Sequence, residues 1–319
     1  MPSGPMLLTA GEPQTGPDWL VEAKLDGARA LARVAEGQVM IQSRPGNSFT
    51  GRFPEVAAAL AERFDGHTVI VDGELVALDA AGLCSFSLLQ RRLQTHKPTA
   101  LHLRTLPARL GLFDCLHLDG RDLTALPYRI RREILENLLP GRGGTVAVAP
   151  AWSDVDAAAL VEITAELGVE GTCSKRADSP YQPGRRTRNW IKSPHRRRGA
   201  LLCAGFYPGR TMPIGALILA GHDPVTGRLR YAGTVSAGLG AHISRNLYGQ
   251  FRDLQAPGPP WRHPASPAGA GTSSAVWLQP RCVAAVEYRE YTAAGRFRHL
   301  SFKGLINPDG VETYLPIPG

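Results

Sequence analysis

Between Val21 and Arg44 the chain reads VEAKLDGARALARVAEGQVMIQSR, short apolar alternations broken at Gly27 and again at Glu36–Gly37. Two apolar runs either side of a two-residue turn signal form a β-hairpin, because a loop of that length matches the twist of paired strands. The stretch therefore commits the first third of the chain to antiparallel pairing, with the hairpin leading straight on from the segment before it. Alternation also sorts the charges: in an extended segment Glu22 and Lys24 point to one face, with Val21, Ala23 and Leu25 on the other face or at the edge. A strand end that sets a lysine between two carboxylates, with Arg29 just beyond, lines a polar pocket. Gly27 permits a close backbone approach that a side chain would hinder. A lysine held there can act as a nucleophile when a nearby cation or metal lowers its pKa. The plainer alternative is a salt-bridged lysine at a strand end.

The oddity recurs in TVIVDGELVALD, where Asp72 and Glu74 share a face at period two in an otherwise apolar strand. One carboxylate suits a solvated edge; two beside a glycine suit a hydroxyl or metal ligand. LGLFDCLHLDGRDLT places Phe113 and Asp114 at an expected strand end, Phe113 being either a core residue or a stacking face for a base. VEGTCSKRADSPYQPGRR puts Glu170 at the end of a helix-to-strand connection, with Lys175 five residues on. RRTRNWIKSPHRRR carries seven basic residues and no acidic one, and Trp190 and Ile191 inside it mark a strand from which Lys192 projects.

Helical spacing appears in RFPEVAAALAERF, where Phe53, Val56, Ala57, Leu60 and Phe64 recur near every 3.6 residues. SDVDAAALVEITAELG reads as a second helix, with Ser153 as N-cap, Asp156 at the capping-box distance and Gly168 as its stop. Helices alternate irregularly with strands, an α+β pattern. Beyond WIKSPHRRRG the chain turns to short strands separated by Gly, Asp and Pro, as a small β-barrel requires. Residues 255–275 are too rich in Pro, Gly and Ser to pack and read as a long mobile loop. The domains expected are 1–196 and 197–319.

With 319 residues and a formal net charge of +8, the chain favours a polyanionic partner. No apolar run approaches the roughly 20 residues of a membrane span, and the opening has neither the basic start nor the apolar length of a secretory signal. A cytoplasmic place is expected. The five cysteines are far apart and form no CxxC pair, so they read as small core residues.

Taken together these segments resemble the covalent nucleotidyltransferases, and most closely the ATP-dependent DNA ligases: the ligase domain of bacterial end-joining enzymes and their small stand-alone relatives. KLDGAR resembles the KxDGxR nucleophile motif, SRPGNSFTGRFPE the SRxG segment, VDGELVALD the DGEL motif and LFDCLHLDG the FD motif. VEGTCSK is similar to EGxxxK, and WIKSP to the lysine-bearing strand that closes the nucleotide pocket. One such element is weak; six in the family's order between residues 22 and 192 are specific, and the likeness runs on through VEYREYTAAGRFRHLSFKGL.

The resemblance implies an ATP-grasp-like α+β nucleotidyltransferase domain with mixed antiparallel sheets, followed by an OB-fold barrel. It implies that Lys24 attacks the α-phosphorus of ATP, that AMP then passes to the 5′ phosphate of a nick, and that the 3′ hydroxyl displaces it. Glu22 would accept from the adenine amino group, Phe113 would stack on the ring, and Glu74 would meet the ribose or a metal. Arg29, Arg44, Arg186 and Lys192 would hold phosphate oxygens. Glu170, helped by Asp26 or Glu74, would hold Mg²⁺ or Mn²⁺. The partner implied is nicked duplex DNA in repair or end joining, met by a monomer near the nucleoid, with a Ku-like end-binding protein or a repair polymerase as a candidate protein partner. Because Lys24 comes so early, no helical DNA-binding domain is expected ahead of it.

Two positions depart from the family pattern. Pro194 stands where a second lysine is usual, and Ile306 where the arginine of an RxDK segment is expected, with Arg196, Arg197, Arg198, Arg296, Arg298 or Lys303 as substitutes. These departures keep open a degenerate ligase that binds nicks without efficient self-adenylation; separately, an RNA ligase or capping-type nucleotidyltransferase would share the Lys24 chemistry, although Glu22 favours adenine over guanine.

Overall fold

The computed structural model describes residues 1–80, 82–141, 143–166, 169–261, 275–291 and 295–316. The chain folds as two compact units, Met1–His195 and Arg196–Gly319.

The first unit is built on two sheets. The larger runs β4 (Gln38–Ser43), β3 (Ala28–Ala35), β5 (Val69–Ala77), β6 (Ala108–Leu118) and β7 (Arg121–Asp122), with β8 (Val146–Val148) added parallel to β6. The smaller runs β1 (Leu7–Ala10), β11 (Arg186–Pro194), β10 (Gly171–Arg176), β2 (Trp19–Ala23) and β9 (Ala151–Ser153), antiparallel except where β1 joins β11. Its helices are α1 (Pro54–Arg63), α2 (Phe86–Gln94), α3 (Ala100–Thr105), α4 (Tyr128–Leu138) and α5 (Ala157–Glu166).

The hairpin read from the sequence is present as β3–β4: Glu36 and Gly37 both take positive φ, 51° and 73°, as a two-residue turn that follows the strand twist demands. It does not lead straight on from the preceding strand, however. β2 belongs to the smaller sheet and β3 to the larger, so residues 24–27 form the crossing between sheets. Alternation gives the face a side chain takes but not the sheet its strand joins.

The first helix is where periodicity put it. Pro54 opens it with a φ already helical and no N–H to leave unpaired, Glu55 and Arg63 complement the helix dipole, and Val56 and Leu60 are buried in the core where the helix lies against β4, β6 and β8. In the second, the cap is Asp156, whose Oδ1 accepts from Ala159 N at 3.0 Å. Ser153 ends β9 instead, and Gly168 lies outside the described residues. The helix begins only at Ala157, which puts Asp156 at the cap position, and pairing with β2 claims Ser153.

β6 passes straight through Phe113 and Asp114, which therefore sit in mid-strand and not at its end. Its register against β5 skips twice, pairing Asp72 with Asp114 but Gly73 with Leu112, and Val71 with Cys115 but Ile70 with His117. Phe113 and Leu116 are thus extra residues of two bulges, a device that re-aims a side chain without ending the strand.

The second unit is an OB-fold barrel. Its long strand β12 (Arg197–Tyr207) pairs β17 (Val283–Tyr288) along its first half, and β13 (Ala216–His222) and β16 (Val276–Leu278) along its second. β14 (Leu229–Val235) extends β13, β15 (Gln255–Ala256) extends β16, and β20 (Ser301–Ile306) extends β17; β18 (Glu290–Tyr291) and β19 (Phe297–Arg298) form a small ribbon. Leu201, Cys203, Phe206, Leu217, Leu219 and Val286 fill its core. A helix, α6 (Ala241–Phe251), packs Leu247 and Phe251 into that core; the strand-rich reading of this half overlooked it. Of the Pro/Gly-rich loop, residues 262–274 lie outside the described residues.

Candidate active site

Where the two sheets part, a cleft of about 500 Å³ opens in the first unit. Its walls come from the β2–β3 crossing, the end of β4, β5, β6, β10 and β11, and they include Glu22, Lys24, Arg29, Arg44, Glu74, Phe113, Arg186 and Lys192. Eight residues named from the sequence thus converge from segments up to 170 positions apart. Glu170 meets them through an ion pair with Lys24 Nζ. Asp26 is not on the cleft wall.

Local backbone geometry explains why the crossing reads LDG. A Cβ on Gly27 would lie 2.1 Å from Leu75 O and 2.8 Å from Glu74 Cγ, so the turn after Lys24 is pressed onto β5. On the far side, Lys24 N donates to Gly171 O at 2.8 Å, and His195 N donates to Glu170 O at 2.8 Å. Lys24 keeps 18% side-chain exposure and Glu170 keeps 12%, so this ion pair is reachable from the cleft.

The other charged groups divide into those buried in pairs and those nearer solvent. Arg29 is committed: its fork grips buried Asp72 at 2.6 and 2.8 Å, and its guanidinium lies 4.5 Å from the Phe113 ring centroid. Burial works against its charge, but Asp72 more than restores it and the guanidinium stays above its ordinary range. Tyr181 donates to the same carboxylate at 2.6 Å, so Asp72 is a buried crosslink, although it shares a strand and a period with Glu74. Lys175, 2% exposed, is committed too, at 2.7 Å from Glu22 and 3.7 Å from the Phe113 centroid. Burial pushes its ammonium down against the pull of Glu22.

Arg44 and Arg186 are exposed and Lys192 half-buried, which leaves cations facing solvent at the cleft. Arg186 is oriented by donating to Leu8 O on β1. Glu74 is half-buried; burial, against the pull of Arg29 and Lys24, pushes its carboxyl up to about 7. Burial likewise pushes the Cys173 thiol on the cleft wall up to about 12, so it stays protonated and inert as a nucleophile.

Among the described residues no three His, Cys, Asp or Glu side chains converge as a ready-made metal cage. Glu170 and Glu74 still suit a hard cation that arrives on phosphate oxygens and keeps its waters, which needs one or two carboxylates from the protein.

Sequence reasoning missed Tyr128 and Arg132 on α4, behind the cleft. Tyr128 OH donates to Glu22 Oε1 and stands 3.0 Å from Phe113 O; Arg132 Nη1 reaches the same Glu22 oxygen at 3.5 Å. The only signal in the sequence was polar residues on the helix YRIRREILENL at positions that also bury Leu135.

Two family models match the chain: "ATP dependent DNA ligase domain" over residues 9–193 and "ATP dependent DNA ligase C terminal region" over 210–307. The "Multifunctional non-homologous end joining DNA repair protein LigD" of Mycobacterium tuberculosis is 34% identical over 310 residues, covering 96% of this chain and 38% of LigD. A "DNA ligase" of Pyrobaculum calidifontis is 33% identical over 288 residues, 86% of this chain and 48% of the relative. The chain thus spans less than half the length of these curated relatives. A solved structure described as "mycobacterial DNA ligase D complexed with ATP and MES" superposes with a TM-score of 0.57 at 33% identity, over 97% of this chain and 96% of that one.

Proposed function

The chain belongs to the ATP-dependent DNA ligases, and we propose that it seals nicks in duplex DNA by way of an AMP carried on Lys24. The observation that carries this reading is the state of the lysines in the cleft. Lys175 is sealed among Glu22, Tyr128 and Phe113, whereas Lys24 is partly exposed and held by a carboxylate that solvent can also reach.

An ammonium has no lone pair, so Lys24 must first lose a proton. Its nitrogen then bonds to the α-phosphorus of ATP, and the bond from that phosphorus to the bridging oxygen breaks as pyrophosphate leaves with the electron pair. Arg44, Arg186 and Lys192 hold phosphate oxygens, which positions the α-phosphorus and offsets the charge that builds up. Glu170, with Glu74, is the place for Mg²⁺ or Mn²⁺, which would supply neutralisation of the polyphosphate. Glu170, which pairs with Lys24, would also be the group that holds such a cation; a Glu170 engaged by it would no longer stabilise the Lys24 ammonium, which favours loss of the proton to solvent and leaves the amine lone pair for phosphorus. AMP then passes to the 5′ phosphate of the nick and leaves when the 3′ hydroxyl attacks. We assign the same reading its setting: repair or end joining near the nucleoid, by a monomer, with a Ku-like end-binding protein or a polymerase as partner.

Incubation with ATP labelled at the α-phosphate and Mg²⁺ or Mn²⁺ should give a labelled protein that Lys24→Ala abolishes; GTP should label far less. An unlabelled wild type with either metal refutes the reading. A degenerate-ligase reading draws on Pro194, which closes β11 two residues after Lys192 and brings no cation. Efficient labelling by ATP refutes that alternative.

A further inference from the structure

Glu22 lines the cleft, yet it is 3% exposed and most of its bonding capacity is already used. A carboxylate has four acceptor positions. Oε1 takes two donors, the Tyr128 hydroxyl and Arg132 Nη1 at 3.5 Å; Oε2 takes Lys175 Nζ at 2.7 Å. Among the described residues this leaves one acceptor position, on Oε2, for a ligand. Neither Tyr128 nor Arg132 lines the cleft, so neither reads a ligand itself.

Arg132 does more than neutralise. Its Nε holds Glu136 at 2.7 Å on its own helix, and its Nη2 donates to the carbonyl of Ala149, which lines the cleft. One guanidinium from α4 therefore pins two parts of the cleft wall, Glu22 on β2 and the segment that follows β8. The Tyr128 ring packs edge-on to Trp190 at 5.8 Å and its hydroxyl stands 3.0 Å from the carbonyl of Phe113. Glu22 and the Phe113 backbone, both on the cleft wall, are thus tied to the same helix. Burial and the Glu22 charge push the Tyr128 hydroxyl well above its ordinary range, so it remains a donor.

We propose that Tyr128 and Arg132 are the positioning residues for nucleobase selection: they fix Glu22 as a one-site acceptor that takes a single amino N–H from the base edge. The inference rests on the ligase reading of the cleft. A fixed acceptor rewards an amino group and penalises a carbonyl at the same place, because the carbonyl leaves the carboxylate buried beside a second acceptor. A carboxylate free to rotate would turn away from the carbonyl and lose that discrimination.

The test compares ATP with purine riboside triphosphate, which lacks the 6-amino group, in self-adenylation. The wild type should favour ATP by roughly tenfold or more in kcat/KM, the loss expected when a buried partner goes unpaired. Tyr128→Phe, and separately Arg132→Lys, which keeps the charge but not the fork, should raise the KM for ATP and bring the two nucleotides within about twofold to threefold. Their kcat values should stay near that of the wild type, and a thermal melt shows that each variant is folded. Should Tyr128→Phe fail to fold, Arg132→Lys carries the comparison. Variants that fold and keep the wild-type preference overturn the inference alone. A wild type that labels with neither nucleotide overturns the ligase reading beneath it.

Discussion

Gly27→Ala is the smallest change that should disable the site, and the structure sets its size. The new methyl carbon would lie 2.1 Å from Leu75 O, 2.8 Å from Glu74 Cγ and 3.0 Å from Val76 Cγ1. Ordinary contact begins near 3.4 Å, and the first of these atoms is backbone, so no rotamer relieves it. Either β5 or the crossing must move by about 1 Å, and β5 is paired on both sides, with β3 and β6, over most of its length. The crossing yields, and Lys24 goes with it. Overpacking of this kind costs about 1–3 kcal/mol of stability, and a 1 Å displacement of a reacting group costs about 100-fold in rate. Self-adenylation should therefore fall about 100-fold while the protein stays folded, its urea midpoint lowered by an amount matching about 1–3 kcal/mol. The assay is the rate of label transfer from ATP, read beside the unfolding curve. A Gly27→Ala protein with wild-type rate and wild-type midpoint would show that the turn does not press on β5, and the account of the LDG sequence would fall with it.

Three further outcomes follow from the packing. Asp72→Ala removes the acceptor of two Arg29 donors and the Tyr181 hydroxyl, and because Asp72 is fully buried the loss should be about 3–5 kcal/mol in urea unfolding; under 1 kcal/mol would mean the crosslink is not formed. Asp156→Ala, which removes the cap on Ala159 N, should cost only about 1 kcal/mol, and Asp156→Asn much less, by the same measurement. Asp223 is held low, at about 2, chiefly by the Arg230 hydrogen bond and then by the amide of Thr226. Its folded value lies below the ordinary one, so its contribution is complete above the unfolded value of 3.8 and is lost as pH falls through about 2. A carboxyl titration by NMR should place its midpoint there, and a midpoint near 3.8 would remove the Arg230 pairing.

Much of this was legible along the chain, and the rest needed through-space information. Period-two alternation put Glu22 and Lys24 on one wall, the turn pair Glu36–Gly37 marked the hairpin, and helical spacing marked Pro54–Arg63. Each of these is a local rule acting over fewer than a dozen residues. Asp72 and Glu74 show where such rules stop. They share a face, as alternation requires, but Arg29 lies diagonally across the β3–β5 pair and takes Asp72, leaving Glu74 to the cleft. Phe113 reaches the cleft from mid-strand because β6 is bulged there, and a bulge leaves no signature in an apolar run such as LGLFDCL. Tyr128 and Arg132 act on a residue more than 100 positions away, beyond the reach of any spacing argument.

The ion pairs of the first unit also bear on the proposal that Lys24, among several cations there, is the one that reacts. Arg29–Asp72 and Arg131–Asp114 are bidentate and buried, the second pair with no exposure on either side, and breaking such a pair costs about 3–5 kcal/mol. Lys24–Glu170 is a single contact in which both partners keep some exposure, 18% and 12%, and it lacks the second parallel bond of the bidentate pairs, so it is the looser of the three. The difference decides which cation can be uncoupled by an incoming phosphate. Meanwhile the backbone of both partners is fixed more firmly than their side chains: Lys24 N and His195 N hold the carbonyls of Gly171 and Glu170, and Gly171, at φ 147°, packs against Ser193 and Pro194 too closely for any Cβ. A looser pair on a rigid frame can open and re-form without moving the walls around it, which is what an amine that must be released, react and return requires.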